Sequence, residues 1–319
     1  MKTLRSSALS AACAIAATLA VAACADKTPT AAPAADTASA STAPAVAEPA
    51  AAPLSIEVYN PGEQAIFAVS STLVTGAKDA VLIDAQFSTV DAAKLVERIK
   101  ASGKRLTTIY ISHGDPDFYF GLVALTDAFP QAKVLATPQT IAHIRETSAG
   151  KLQFWGPKLG AGAPSRIVIP EPLQGDTIDL EGNSLKIVGL DGPTPDRSFV
   201  WIEPIKAVLG GIPVMAGEHV WMADTQTPQS HADWLGTLDK IAALQPKTVV
   251  PGHFAPGAAQ NLDAVRFTAD YIRAFDEETA KAKDAAALIA AMQRRYPGLG
   301  AQASLELSAK VAKGEMKWP

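Results

Sequence analysis

The sequence predicts an α/β fold built around two sheets. From residue 54 onward, short apolar runs rich in β-branched residues alternate with stretches of helical periodicity. The strand patterns fall into two blocks, and each block is followed by helix. The run at 80–84 is continuously apolar, as in strands that are covered on both faces. A chain of 319 residues with this composition is long enough for one large core and a helical appendage.

The first block contains five predicted strands and three predicted helices. The strands are expected over 54–59, 65–75, 79–84, 106–111 and 132–136, and the helices over 89–102, 119–128 and 138–146. Helix 89–102 has one apolar stripe, formed by Ala92, Leu95, Val96 and Ile99. Residues 147–163 contain aromatic side chains among several glycines. They are interpreted as a loop, either packed on the surface or lying over a site.

The second block is richer in strands and ends in helices. Strands are expected over 165–169, 176–181, 184–190, 198–203, 206–210 and 247–250, and helices over 228–244, 259–276, 279–295 and 303–313. Pro228 suits the first turn of its helix, because that position does not need a backbone N–H. We assign residues 54–276 to the main domain and residues 277–319 to a C-terminal helical extension.

The first residues have the pattern of an export signal. Lys2 and Arg5 precede a small apolar run that ends in Val-Ala-Ala-Cys24, and this run is too short to span a bilayer. The ending resembles a bacterial lipobox, which implies cleavage after residue 23 and a lipid on Cys24. A plain signal peptide with an incidental cysteine is the alternative. We expect a lipid-anchored protein on the periplasmic side of the cell envelope, with the outer membrane favoured over the inner.

Composition excludes several classes of chemistry. Residues 24–53 are almost entirely Ala, Pro, Thr and Ser, and are interpreted as a linker that buries too little surface to fold. Cys13 and Cys24 are the two cysteines of the sequence, so the folded part has no disulfide, thiolate nucleophile or cysteine zinc site. Loss of Lys2 and Arg5 would take the net charge from −4 to −6, which argues against nucleic acid as a partner. The sequence does not indicate an oligomeric state.

The candidate site is the stretch Ile-Ser-His-Gly-Asp-Pro-Asp at 111–117. His113, Asp115 and Asp117 occupy alternate positions after a predicted strand, at the sheet edge where ligands bind in open α/β folds. In an extended loop this spacing turns all three side chains to one side. The stretch is therefore a metal-site candidate, although an ordinary Gly-Asp-Pro-Asp turn has the same residues.

Three features together resemble the metallo-β-lactamase fold superfamily. They are a strand that ends in Asp84, the motif His113-x-Asp115-x-Asp117, and a late strand that ends in Pro-Gly-His253. The resemblance covers residues 54–275. It implies a four-layer αββα sandwich with a metal site along one edge between the two sheets, and a hydrolase that uses one or two ions of zinc, iron or manganese.

The chain departs from the motif of that family at several positions. The family loop reads His-x-His-x-Asp-His, whereas Asp115 stands at the second histidine and Phe118 at the last. The segment that usually supplies the next histidine has none here, so that ligand is lost unless Asp191 or Asp196 replaces it. Ile212 stands where the family has a bridging aspartate.

The resemblance therefore implies an altered site with at most one divalent cation. The expected metal ligands are His113, Asp115, Asp117 and His253, and zinc is favoured over iron and manganese. Water on the metal would attack an ester, lactone or amide-like small molecule, with Asp117 or Asp115 as general base. The alternative is a metal-free, catalytically inactive binding protein that keeps the sandwich.

Other polar and aromatic residues receive smaller assignments. Asp84 is expected either to orient the ligand loop or to form a strand-end turn. Tyr119 could donate to a substrate oxyanion or be a partly buried helix residue. We expect surface or structural roles for His143, His219 and His231, and core or rim positions for Trp155, Trp201 and Trp221.

Overall fold

The structure, a computed structural model, describes residues 52–318. The predicted signal peptide 1–23, Cys24 and nearly all of the predicted linker lie outside the described residues. Within 52–318, no helix has both the length and the apolar character needed to cross a membrane.

The first sheet is mixed and has six strands in the described part of the chain. They are Ser55–Tyr59 (β1), Ser71–Thr75 (β2), Asp79–Ile83 (β3), Arg105–Ile111 (β4), Lys133–Ala136 (β5) and Glu171–Pro172 (β6). Their spatial order is β1-β2-β3-β4-β5-β6. Strands β1 to β3 pair antiparallel, and β3 to β6 pair parallel. The carboxyl ends of β3 and β4 therefore lie at the same edge.

The second sheet has five strands within residues 52–318, and a separate two-stranded pair accompanies it. The strands are Thr177–Leu180 (β7), Asn183–Val188 (β8), Phe199–Ile202 (β9), Ala207–Leu209 (β10), Met215–Ala216 (β11), Thr248–Val249 (β12) and His253–Phe254 (β13). The sheet order is β12-β10-β9-β8-β7, and β11 pairs parallel with β13.

Eight α-helices belong to the described region. They are Thr89–Ala101 (α1), Pro116–Tyr119 (α2), Leu122–Ala128 (α3), Pro138–Leu159 (α4), Pro228–Ala243 (α5), Leu262–Lys281 (α6), Ala285–Arg295 (α7) and Gln302–Ala312 (α8). Capping fixes several of their starts. The Ser88 side chain, for example, accepts the backbone N–H of Asp91 at the start of α1.

The alternating direction of the buried side chains of β3 shows the layers. Ala80 and Leu82 belong to a hydrophobic cluster that includes the apolar stripe of α1. Val81 and Ile83 point the other way, into a second cluster with side chains of β8, β9, α5 and α6. The first sheet is thus covered by helices on one face and by the second sheet on the other. This arrangement confirms the predicted α/β class and the αββα sandwich.

The largest error of the sequence prediction concerns residues 147–163. The predicted helix 138–146 does not stop there, because α4 continues to Leu159. Burial of Trp155 and the other inward-facing side chains outweighs the low helix propensity of the glycines. Pro157 lies in the last turn, and the helix ends two residues after it.

Three further elements differ from the prediction. No strand forms over 165–169, where Pro164 and Pro170 flank the apolar run, and the short β6 pairs with β5 instead. The strand predicted over 65–75 is reduced to β2, because Ser70 N–H donates to Gly252 O at 2.8 Å rather than into the sheet. The sequence predicts one helix over 119–128, whereas the chain forms two, α2 over 116–119 and α3 over 122–128.

The C-terminal helices pack on the same core as the second sheet. Helix α6 passes the predicted boundary between residues 276 and 277 without a break. Leu288, Met292 and Leu305, from α7 and α8, are buried in the cluster that contains β9 and β10. Residues 277–312 thus contribute to the hydrophobic core of the sandwich.

Candidate functional site

The candidate site lies where the ends of β3 and β4 meet the start of β13. His113 follows β4 by two residues, and His253 is the first residue of β13. The backbone of His253 pairs with Met215 of β11 on one side and with Val69 on the other. The two histidines predicted as metal ligands are therefore brought to one region by strands that are far apart in the chain.

Asp84, Ser112 and Gly211 form a hydrogen-bonded joint that supports this region. The Asp84 carboxylate accepts the backbone N–H of Ser112 at 2.8 Å and the Ser112 hydroxyl at 2.7 Å. The Ser112 Oγ in turn accepts the backbone N–H of Gly211 at 2.5 Å. Burial raises the pKa of Asp84 to about 7, although the bonds from Ser112 act in the opposite direction. Of the two roles expected for Asp84, these bonds favour the first, because they hold the residue that precedes His113.

The prediction of an extended loop is wrong from residue 116 onward, because residues 116–119 form α2. Asp115 is the N-cap of this helix, and Pro116 is its first residue, a position where a proline needs no N–H. The Asp115 side chain makes no capping bond. Its oxygens are directed to other side chains.

Asp115 forms a pair with His113 and also contacts a lysine. His113 Nε2 lies 3.0 Å from Asp115 Oδ2, and Lys151 Nζ of α4 donates to Asp115 Oδ1 at 3.1 Å. Burial acts to raise the pKa of Asp115, but these cationic neighbours and His143 lower it well below its usual value. Burial acts to lower the pKa of His113, yet Asp115 raises it overall. Asp115 is thus a buried carboxylate with two cationic neighbours.

The other ring nitrogen of His113 meets the backbone of Asp196. His113 Nδ1 lies 3.3 Å from the carbonyl oxygen of that residue. With acceptors at both nitrogens, the doubly protonated imidazolium is favoured. Asp196 thus contacts His113 through its backbone, and no contact of the exposed Asp191 with His113 or Asp115 occurs in residues 52–318.

Asp117 and His253 form a second pair. His253 Nε2 lies 3.0 Å from Asp117 Oδ2, and both side chains are buried. Burial acts to lower the pKa of His253, but Asp117 and the nearby Glu218 raise it overall. The Phe118 ring packs edge-to-face against the imidazoles of both pairs, with centroids 5.3 Å from His113 and 5.7 Å from His253.

The four expected ligands are therefore not assembled as one cation site. Within 52–318, no group of three or more His, Cys, Asp or Glu side chains is placed to hold a metal ion. Each histidine is matched with one carboxylate, and the ammonium of Lys151 contacts Asp115, where a metal would have to bind. The predicted set of His113, Asp115, Asp117 and His253 does not fit a resident dication in this arrangement.

A pocket of about 840 Å³ opens beside the two pairs. Asp115, Asp117 and His253 contribute to its wall. Sequence reasoning missed the other polar groups of the wall, among which Lys151, Glu218 and Asp224 are buried or half-buried. Burial raises the pKa of Glu218 and, together with the charge of Asp115, that of Asp224.

The sequence contains only weak signals for Lys151, Glu218 and Asp224. Lys151 lies one helical turn before Trp155, a spacing that becomes informative only once α4 is known to continue. Glu218 and Asp224 lie in an irregular segment after β11. Among the residues given minor roles, Tyr119 is buried with no partner for its hydroxyl among the described residues. His143 lies 3.9 Å from Asp115 and is closer to the site than expected.

Comparison with known proteins agrees with this architecture. The sequence profile of the metallo-beta-lactamase superfamily matches residues 65–253, more than half of the chain. A metallo-beta-lactamase family protein from Thermus thermophilus is 17% identical, with 81% of this chain and 91% of that chain covered and a TM-score of 0.56. A beta-lactamase domain protein from Burkholderia ambifaria is 16% identical, with 81% of this chain and 84% of that chain covered and a TM-score of 0.56.

A metallo-beta-lactamase from Pontibacter korlensis is 19% identical, with 69% of this chain and 93% of that chain covered and a TM-score of 0.51. No curated protein matches the chain. At such identities the structural likeness shows the fold alone.

The double sheet with a polar edge defines a protein of the metallo-hydrolase architecture. The chain belongs to the metallo-beta-lactamase superfamily, whose members are generally metal-dependent hydrolases. The resemblance found in the sequence is thereby confirmed.

Proposed function

We propose that this protein binds a small molecule in the edge pocket of a metallo-beta-lactamase fold and does so without a resident metal ion. The pairing of the expected ligands carries the proposal. Asp115 faces His113 and Lys151, and Asp117 faces His253. Since each carboxylate already has at least one cationic neighbour, protein groups alone compensate the negative charge of the loop.

The pocket supports a binding role. Its volume of about 840 Å³ is in the range of small-molecule sites. Its wall combines aromatic side chains with a few buried polar groups, which is the composition that orients a ligand while burying most of its surface.

A metal-dependent hydrolase is the second candidate. It is favoured by the usual chemistry of the superfamily and by one local feature, the Asp117–His253 pair at the pocket wall. Carboxylate and imidazole are both zinc ligands, but two donors are fewer than the three or four that zinc sites use. One divalent cation, with zinc ahead of iron or manganese, would need additional donors.

Metal analysis separates the two candidates. The full chain is purified without chelators, equilibrated with zinc, manganese or iron, and its bound metal is measured by mass spectrometry. We expect a content well below one ion per chain in each case. A content near one ion that disappears in Asp117→Ala and His253→Ala would overturn the metal-free proposal and favour the hydrolase.

We further propose that the protein is anchored in the cell envelope by a lipid on Cys24. The support is the basic, apolar and Cys-terminated pattern of residues 1–24 and the linker composition that follows it. Cys24→Ser is expected to move the protein from the membrane fraction to the soluble fraction. Cys13→Ser, in the part that would be cleaved, is the matched control and should change nothing. Membrane association of the Cys24 variant would contradict the anchor.

A further inference from the structure

Most acids of the edge pocket are matched by a donor from the protein. Asp115 and Asp117 have the cationic partners described above. The carboxylate of Asp224 accepts the indole N–H of Trp221 and that of Trp318, both at 2.6 Å. These contacts satisfy charge or hydrogen bonding at three of the carboxylates that line the pocket.

Glu218 is the buried acid of the pocket that has no such donor. Its side chain lines the pocket and the residue is 8% exposed. Within residues 52–318, no protein group forms a hydrogen bond or an ion pair with its carboxylate. The nearby His253 is already engaged by Asp117 at 3.0 Å. A buried carboxylate without a counter-charge is costly, and a cationic ligand would remove that cost.

The wall of the whole pocket, like Glu218, is acidic. Its wall contains one lysine, one histidine and five carboxylates, namely Glu63, Asp115, Asp117, Glu218 and Asp224. Even with both basic groups protonated, acids are in excess. A concave wall with this excess attracts cations and repels anions.

Four aromatic rings, those of Phe67, Trp155, Trp221 and Trp318, also line the pocket. The Phe67 ring meets that of Trp155 at a centroid distance of 5.2 Å and that of Trp221 at 6.2 Å, with interplanar angles of 76° and 80°. Trp221 and Trp318 meet at 5.2 Å and 71°. Rings that meet at such angles line a corner of the pocket wall. Tryptophan faces are the best aromatic partners for ammonium groups, and the Lys151 ammonium already lies 5.6 Å from the centre of the Trp318 ring.

We propose that the ligand of this pocket is an organic cation with a methylated or quaternary ammonium group. The ammonium lies against the rings of Phe67, Trp155 and Trp221 and faces the carboxylate of Glu218. A methylated ammonium suits such a wall better than a metal ion or a bare ammonium, because it is large, apolar at its surface and weakly hydrated. This inference rests on the proposed binding function, since it names the ligand class of the same pocket.

The test uses the full chain and trimethylammonium compounds of increasing size. Tetramethylammonium, choline and benzyltrimethylammonium are titrated by calorimetry and by tryptophan fluorescence, and 3,3-dimethylbutan-1-ol serves as the neutral carbon isostere of choline. We expect at least one cation of the series to bind, and choline to bind on the order of tenfold more tightly than its isostere. The ligand class is overturned if no cation of the series binds better than the isostere.

Variants test the role of Glu218. Glu218→Gln keeps the shape and removes the charge, so it should weaken cation binding about tenfold and leave the isostere unaffected. Glu218→Asp keeps the charge and should retain more of the affinity than the glutamine variant. Glu171→Gln, an exposed acid on β6 outside the pocket, is the control. Circular dichroism confirms folding, and equal cation affinity in wild type and both Glu218 variants would overturn the assignment.

The outcome is separable from that of the proposed function. If neutral small molecules raise the melting temperature and the cations do no better, the ligand class fails while the binding function stands. If one metal ion per chain is found, the metal-free binding function itself fails.

Discussion

Two parts of the candidate site differ in how they are built. One is the hydrogen-bonded joint of Asp84, Ser112 and Gly211, and the other is the donor loop, residues 113–118. In the joint, Asp84, Ser112 and Gly211 form one continuous hydrogen-bonded path between the two sheets. In the loop, His113 and Asp115 are instead paired with each other. The joint has the connections needed to hold a loop in position, whereas the loop no longer presents its donors for a shared metal ion. The support of the site and its chemistry are thus separable in this fold.

The joint also depends on unusual backbone conformations. Asp84 has φ of 64°, and Gly210 and Gly211 have φ of 71° and 80°. Such values are costly for most residues with a Cβ. The donor loop contains no comparable constraint between residues 113 and 118. Substitutions that a positive φ disfavours should therefore cost more stability in the joint than substitutions in the loop.

Gly211→Ala is expected to have the largest effect. A Cβ there would overlap the carbonyl oxygen of Ser198 and lie 2.9 Å from the Pro213 ring, in addition to the strain of a positive φ. We expect the free energy of unfolding to fall by about 3 kcal/mol, measured by urea denaturation.

Gly175→Ala is the matched control for this substitution. Gly175 has a similar φ of 76°, but an added Cβ would meet nothing within 4 Å. The control should cost about 1 kcal/mol, which is the conformational part alone. Equal losses for the two variants would show that close packing at Gly211 contributes nothing.

Lys151→Met should have the next largest effect, and it tests the loop. The side chains of Lys151 and Asp115 are 13% and 11% exposed, so loss of the ammonium leaves a buried carboxylate with one cationic neighbour fewer. We expect a loss of about 2 kcal/mol at pH 7, again from urea denaturation. Because the substitution also frees one oxygen of Asp115, affinity for zinc should increase.

Lys100→Met is the control on the surface. Lys100 pairs with Glu97 across one helical turn, and both side chains are more than half exposed. This variant should change the free energy of unfolding by less than about 0.5 kcal/mol. If the Lys151 variant is no less stable than this control, the buried pair does not support the loop.

The contrast between joint and loop also determines what the sequence could reveal. Strand periodicity predicts the α/β class and two sheets, and the resemblance carried by Asp84, His113, Asp115, Asp117 and His253 implies the sandwich and the position of the loop. Residue types alone did not show that these donors would pair instead of sharing a cation. Lys151, which contacts the other oxygen of Asp115, falls in a predicted loop because Gly156 and Pro157 obscure the helical pattern of α4.

The remaining pocket groups could not be found by periodicity. Glu218, Trp221 and Asp224 belong to an irregular segment, where no repeat indicates which side chains turn inward. Trp318 reaches the pocket only because α7 and α8 return the chain to it. Such positions are fixed by tertiary packing, and a single sequence contains no local signal for them.

Asp84→Asn should have the smallest effect on stability, and it tests the charge in the joint. Asparagine keeps a carbonyl acceptor for Ser112 and tolerates a positive φ. Burial raises the pKa of Asp84 to about 7, above its value in the unfolded chain. Between about pH 4 and about pH 7 the folded state therefore binds more protons than the unfolded state, and the contribution of Asp84 to stability falls as pH rises.

The variant lacks this titration, so its free energy of unfolding should increase relative to wild type as the pH is raised from about 4.5 to about 7.5. Urea denaturation across that range measures the difference, with Asp191→Asn, an exposed acid, as the control that should stay parallel to wild type. Parallel curves for the Asp84 variant would mean that this carboxylate is ionised in the folded protein throughout the range. The joint would then hold a buried charge, and the bonds from Ser112, with the backbone N–H of Gly211 and the charge of His113, would have to outweigh the cost of burial.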